Sequence, residues 1–182
     1  YSFITEETGI INNSDKDNFW IIDPIDGTTN FLHGIPHFAI SIALKIKNNI
    51  ISGLIFDPIK NEIFYAEKNS GSFFNNQRIR VSKKNNLEDC LFATNHLGAK
   101  YSELNLRYTG CAALDLAYVG SGRLDGFFQN DINIWDIAAG AIIVEEAGGQ
   151  VNDISKFKIN NINIRASSTN IHSKLLEKLN NF

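Results

Sequence analysis

The chain has 182 residues, 43% of them apolar, enough for one compact domain with a substantial core. Its net charge of -3, with no run of Lys or Arg, excludes a nucleic-acid footprint built on phosphate neutralisation and favours a small-molecule or protein partner. No apolar stretch approaches the roughly 20 residues needed to cross a bilayer, and the opening YSFITEETG has no signal-like pattern, so a cytoplasmic location without membrane contact is expected.

Two cysteines, Cys90 and Cys111, lack metal-ligand spacing and read as reduced thiols. The chain contains no methionine and opens at Tyr1 inside strand-like sequence. Residues 1–182 are therefore expected to form a single domain that is N-terminally incomplete.

In chain order, polar residues from Asn12 to Asn18 separate an opening strand from a short aromatic and β-branched strand, Phe19 to Asp23. That strand is expected to end at DPIDG, a turn stiffened by Pro24, with a reversal or helix start near Asp26 to Thr29. From Phe38 onward AISIALKI, IISGLIF and EIFYAE alternate with KNN, DPIKN and KNSG, which predicts an antiparallel meander. Ala112, Leu116 and Val119 share one face of a helix closed by Gly120 and Gly122, and the strand DGFFQ follows. Trp135 to Glu146 forms a second helix stopped by Gly148 and Gly149, with Asp136 in its first turn. Gln150 to Asp153 and Ile162 to Ala166 are candidate closing strands, and SSTNIHSKLLEKL is capped and spaced as a terminal helix. Strands and helices come in blocks without strict alternation, so the expected class is α+β, a layered sandwich.

Three acidic clusters stand at element edges: Glu6-Glu7, Asp23 with Asp26, and Asp136. Hard cations such as Mg2+ take oxygen ligands, often one or two carboxylates plus phosphate and water. Asp23 and Asp26 suit that need, and the Ile25 carbonyl could add another oxygen. Gly27 permits close backbone approach, and the amides of Gly27, Thr28 and Thr29 at a helix start would form an anion pocket beside the metal. Taken singly, DPIDG could be a surface turn, Asp136 a helix-dipole charge and Glu6-Glu7 a solvated pair. His33 and His37 have i,i+4 spacing, but Gly34 and Pro36 break the helix a zinc pair would need, so both read as structural or surface residues.

From Phe3 to about Val151 the chain closely resembles the inositol monophosphatase family, especially its bacterial SuhB-like branch. ITEETG is similar to the family's Glu-bearing strand end, WIIDPIDGTTNF to its first signature and WDIAAGAIIVEEAGG to its second. FDPIKNEIFYA and TGCAALDLAYVGSGRLDGFF resemble the region between. The resemblance implies an αβαβα sandwich, a homodimer, and Mg2+-dependent hydrolysis of inositol monophosphate or a related sugar or polyol phosphate. It makes Glu6, Asp23, the Ile25 carbonyl, Asp26 and Asp136 metal ligands. One Mg2+ on Glu6, Asp23 and Ile25 would activate water, and a second on Asp23, Asp26 and Asp136 would stabilise the leaving alkoxide. A third, weaker Mg2+ and inhibition by Li+ are also implied. Thr28 would position the water, with Glu6 and Asp26 beside it in the catalytic set. Phosphate and substrate contacts would come from Asp26, Gly27, Thr28, Gly110, Cys111, Ala112, Gln129 and Asp136.

The chain departs from the family pattern in three places. An upstream region, including an acid that polarises the signature threonine, has no counterpart here. The stretch between Ala93 and Arg107 is shorter, and Gln129 stands where many members carry a Glu. Two alternatives accompany the leading reading: a histidinol-phosphate phosphatase using the same metal core, and a SuhB-like partner of the transcription machinery.

Overall fold

The computed structural model describes residues 1–95, 101, 103–152 and 159–180. The opening segment is a hairpin rather than one strand, β1 (Ser2–Thr5) and β2 (Gly9–Ile11), with Glu6 and Glu7 in its turn. The Thr5 hydroxyl holds that turn by accepting from the Thr8 amide at 3.2 Å. β3 (Phe19–Asp26) lies parallel to β1 and is longer than the sequence suggests, because DPID continues the strand instead of turning it. Only after Gly27 does the chain leave the sheet, as the short helix α1 (Thr28–Leu32).

The expected meander follows as β4 (Ala39–Ile46), β5 (Asn49–Asp57), β6 (Glu62–Glu67), β7 (Gly71–Phe74) and β8 (Gln77–Arg78). Its turns use asparagine: Asn75 and Asn76 both take positive φ, 43° and 66°, as a tight two-residue hairpin of the I′ kind requires. These strands complete an eight-stranded sheet in the order β2-β1-β3-β4-β5-β6-β7-β8.

A second, five-stranded sheet contains β9 (Leu91–Ala93), β10 (Asn105–Arg107), β11 (Gly126–Ile132), β12 (Gly149–Asn152) and β13 (Ile162–Ser168), in the order β10-β9-β11-β13-β12. The helices α2 (Ala112–Gly120) and α3 (Ile134–Glu146) touch each other and both sheets, so they form the layer between them. Both are apolar nearly all round, as helices buried on two sides must be. They approach closely: a Cβ at Gly140 would lie 2.4 Å from the Leu116 Cβ. Helix α4 (His172–Asn180) packs on the far face of the second sheet, where Ile171 and Leu175 join Phe92 and Phe128 in a separate apolar cluster.

Among the described residues the layers are thus sheet, helix pair, sheet, helix, the expected layered sandwich of the αβαβα type. On the outer face of the eight-stranded sheet, Ile42, Leu44, Leu54 and Phe56 stand half-buried at positions alternating with the core-facing residues. Of the stretch noted as short, residues 96–100 and 102 lie outside the described residues, as does Asp153 at the end of an expected strand. Among the described residues no helix is long and apolar enough to cross a membrane.

Candidate metal centre

Asp23 and Asp26 are three apart in one strand, a spacing that ordinarily sends side chains to opposite faces of a sheet. A bulge reverses that. Asp23 pairs with Ser41 and Asp26 with Ala39, so β3 carries one residue more than β4 over this step. Pro24, which has no N–H to donate, sits in the bulge, and the Ile25 amide turns inward to bond the Asp23 Oδ1 at 2.9 Å. Both aspartates then face the helical layer and are buried.

Asp136 reaches the same point from the start of α3. It is the third residue of that helix, and its Oδ2 accepts the Asn133 amide at 3.2 Å, one half of a capping box. The Ser41 hydroxyl ties the start of α3 to the sheet by donating to the Trp135 carbonyl at 3.1 Å, one strand away from Asp23. One carboxylate oxygen from each of Asp23, Asp26 and Asp136 lies within 4.8 Å of the others. Glu6 flanks this triad without joining it. The register that pairs Thr5 with Ile22 places Glu6 beside Asp23, where it is exposed and its charge acts on all three acids.

Burial raises all three carboxyls above the usual carboxylate range, and their mutual repulsion raises them further. For Asp26 burial wins over the hydrogen bonds from Ala113 and Cys111 and pushes the pKa up to about 7. Asp23 is raised by burial first and then by the charges of Glu6 and Asp136, and Asp136 by burial first and then by the charges of Asp26 and Glu6. Asp23 Oδ2 is buried with no hydrogen-bond partner among the described residues, and none of the ion pairs found there reaches the cluster. A buried acid cluster of this kind is neutralised by protons or by a cation, and an all-oxygen donor set fits a hard divalent one. The triad therefore fits a metal site.

Around it, Asp26 is held by the start of α2: the Ala113 amide donates to its Oδ2 at 2.6 Å, and the Cys111 thiol at 3.1 Å. Cys111 and Ala112 are buried, and Gly110 is exposed at the rim with φ +79°. Gly27 has φ +91°, and a Cβ there would meet the carbonyls of His37 at 3.1 Å and Gly110 at 3.3 Å, so only glycine fits. The Thr28 hydroxyl donates to the Ile25 carbonyl at 2.9 Å. With the Phe31 amide bonded to the Gly27 carbonyl, α1 begins there and its first amides have no partner within the helix.

Gln129 lies in β11 seven residues before Asp136, its Oε1 buried and without a partner among the described residues. His33 is exposed at the end of α1 and His37 half-buried; neither belongs to the acid cluster, in keeping with their reading as structural or surface residues. Sequence reasoning missed Asn30, Thr109, Ala113 and Asp115. Asp115 is fully buried, and burial holds its carboxyl well above the usual range. Its position betrays it: it is three residues after Ala112 and four before Val119, so it falls on the apolar face of α2.

The inositol monophosphatase family model matches residues 1–181. The chain is 40% identical to a Haemophilus influenzae protein named Nus factor SuhB, the match covering 98% of this chain and 73% of that relative. It is 38% identical to the inositol-1-monophosphatase of Caulobacter vibrioides, covering 98% of this chain and 78% of that one. The crystal structure of the extragenic suppressor protein suhB from Bartonella henselae superposes with a TM-score of 0.91 at 45% identity, covering 99% of this chain and 79% of that chain.

Proposed function

The chain belongs to the inositol monophosphatase family, and from that premise we propose that it hydrolyses the phosphate monoester of inositol or a related small polyol or sugar, using Mg2+. The observation that carries this reading is the gathering of three carboxylates within 4.8 Å beside the Gly27 loop, with Asp23 Oδ2 lacking a hydrogen-bond partner among the described residues. Glu6, Asp23, the Ile25 carbonyl, Asp26 and Asp136 would hold the ions. When bound, divalent cations supply positive charge to the phosphate and make water acidic enough to attack at neutral pH.

The chain's own groups do the rest. Thr28 donates its hydroxyl hydrogen bond to the Ile25 carbonyl, which leaves the hydroxyl oxygen lone pairs free to orient a water for attack. The amides of Gly27 and Thr28 offer donors to phosphate oxygens as charge redistributes. Ala113 and Cys111 fix the rotamer of Asp26 before any ligand arrives. Gly110, Cys111 and Ala112, with Gln129, would line the side of the site that meets the alcohol. Two or three Mg2+, Li+ sensitivity and a homodimer belong to the same proposal.

Phosphate release from inositol 1-phosphate, histidinol phosphate and a sugar-phosphate panel, with and without Mg2+, tests it; no Mg2+-dependent release from any of them would sink the idea. A second reading draws on the name of the Haemophilus relative: a Nus-factor role through protein contacts, for which the acidic charge of -3 suits a protein surface better than RNA. Capture of purified RNA polymerase by a catalytically silent Asp23→Asn form supports that role, and absence of capture counts against it.

A further inference from the structure

Asn30 is the third residue of α1 and is buried, and its side-chain amide donates both hydrogens to backbone carbonyls of distant segments, His37 at 2.8 Å and Thr109 at 2.8 Å. Both neighbours are acceptors only, so the nitrogen must face them. The same segments crowd Gly27, where an added Cβ would lie 3.1 Å from the His37 carbonyl and 3.3 Å from that of Gly110. Thr109 passes the linkage on: its hydroxyl lies 2.8 Å from each carboxylate oxygen of buried Asp115 and accepts the Cys111 amide at 3.3 Å. Cys111 and Ala113 then return to Asp26. A continuous set of bonds therefore runs from α1, through Thr109, to the start of α2 and back to the acid cluster.

Under the phosphatase reading, on which this inference rests, Gly27 and Thr28 meet the phosphate while Gly110 to Ala112 meet the alcohol. We infer that Asn30 is a positioning residue that sets the separation of these two loops, and hence how well a polyol phosphate is held at both ends at once. A substrate with no hydroxyls to be recognised depends less on that separation.

Asn30→Asp keeps the side-chain size but turns carboxylate oxygens toward two carbonyls, which breaks both bonds. Hydrolysis of inositol 1-phosphate is expected to lose about tenfold or more in kcat/KM, carried mainly by KM, while phenyl phosphate loses a distinctly smaller factor. Amide hydrogen exchange at Cys111 and Ala113 is expected to accelerate while that of β5 stays as in the wild type. Equal losses on both substrates would mean a merely structural role and overturn the inference, as would unaltered exchange at Cys111 and Ala113. If Asn30→Asp does not fold, Asn30→Ser, which keeps a single donor, is read in the same way. A wild-type protein that hydrolyses neither substrate defeats the phosphatase reading instead, and the exchange measurement then decides the linkage alone.

Discussion

The acid cluster stores repulsion, so removing divalent cations from the protein and raising the pH should unfold it more easily. The Asp26 carboxyl is the cleanest gauge, being 8% exposed and raised from 3.8 to about 7 chiefly by burial. A group whose pKa is raised on folding stabilises the fold below its unfolded value and loses that contribution as the pH climbs to its folded value. The window for Asp26 is thus about pH 4 to 7, and a shift of about three units corresponds to about 4 kcal/mol at most. A proton taken up by one carboxylate relieves its neighbours, so the three shifts do not add. At roughly 2–4 °C per kcal/mol for a domain of this size, the metal-free melting temperature should fall by about 10 °C between pH 4.5 and 8. If the cluster holds Mg2+ as proposed, Mg2+ should restore stability, and more at pH 8 than at pH 5, because protons compete with a cation for the same carboxylates. Asp26→Asn removes the charge while leaving an oxygen for Ala113 and Cys111. It should flatten the pH profile and melt above the wild type at pH 8 without metal, while abolishing Mg2+-dependent stabilisation. Scanning calorimetry in chelator across that range decides the matter: a flat or rising wild-type profile, or a less stable Asp26→Asn at pH 8, refutes the reasoning.

Under the proposed function, Asp23→Asn should reduce phosphate release by about a thousandfold or more while its circular dichroism matches the wild type, since it removes a charge from the acid cluster at constant size; turnover within tenfold of wild type would remove Asp23 from the chemistry. Gly27→Ala forces a side chain into a φ of +91° and against three neighbours, so a loss of about 2–4 kcal/mol in chemical denaturation is expected, with activity lost in the surviving fold. A loss below about 0.5 kcal/mol would show that the loop can shift freely. Gly140→Ala drives a methyl to within 2.4 Å of the Leu116 Cβ; overpacking should cost about 1–3 kcal/mol despite the better helix propensity of alanine, and a stabilised variant would contradict the tight seating of α3 on α2.

What the sequence revealed depended on whether a feature was local. The meander was legible because each strand of AISIALKI, IISGLIF and EIFYAE is bounded by its own turn residues, and those strands match the observed ones closely. Helices α2 and α3 were legible for the same reason, each closed by glycine. The opening hairpin was not, since GII after a Glu-rich turn is too short to show alternation. DPIDG misled because Asp, Pro and Gly are turn formers in isolation, and the bulge that keeps the chain in the sheet is decided by pairing with β4. That bulge matters more than the residues it contains. Without it, Asp23 and Asp26 would point to opposite faces of the strand, and the acids picked out by residue type alone could not gather at one point. The candidate residues were thus visible in the sequence, whereas their convergence was not: it depends on one extra residue in β3, on the β1 register that brings Glu6 alongside, and on the capping box that turns Asp136 inward. Asp115 could have been read from its place on the apolar face of α2, whereas Asn30 escaped notice because polar residues are conspicuous in a sequence only when they look misplaced. A buried asparagine whose partners lie 7 and 79 residues away is misplaced only in three dimensions.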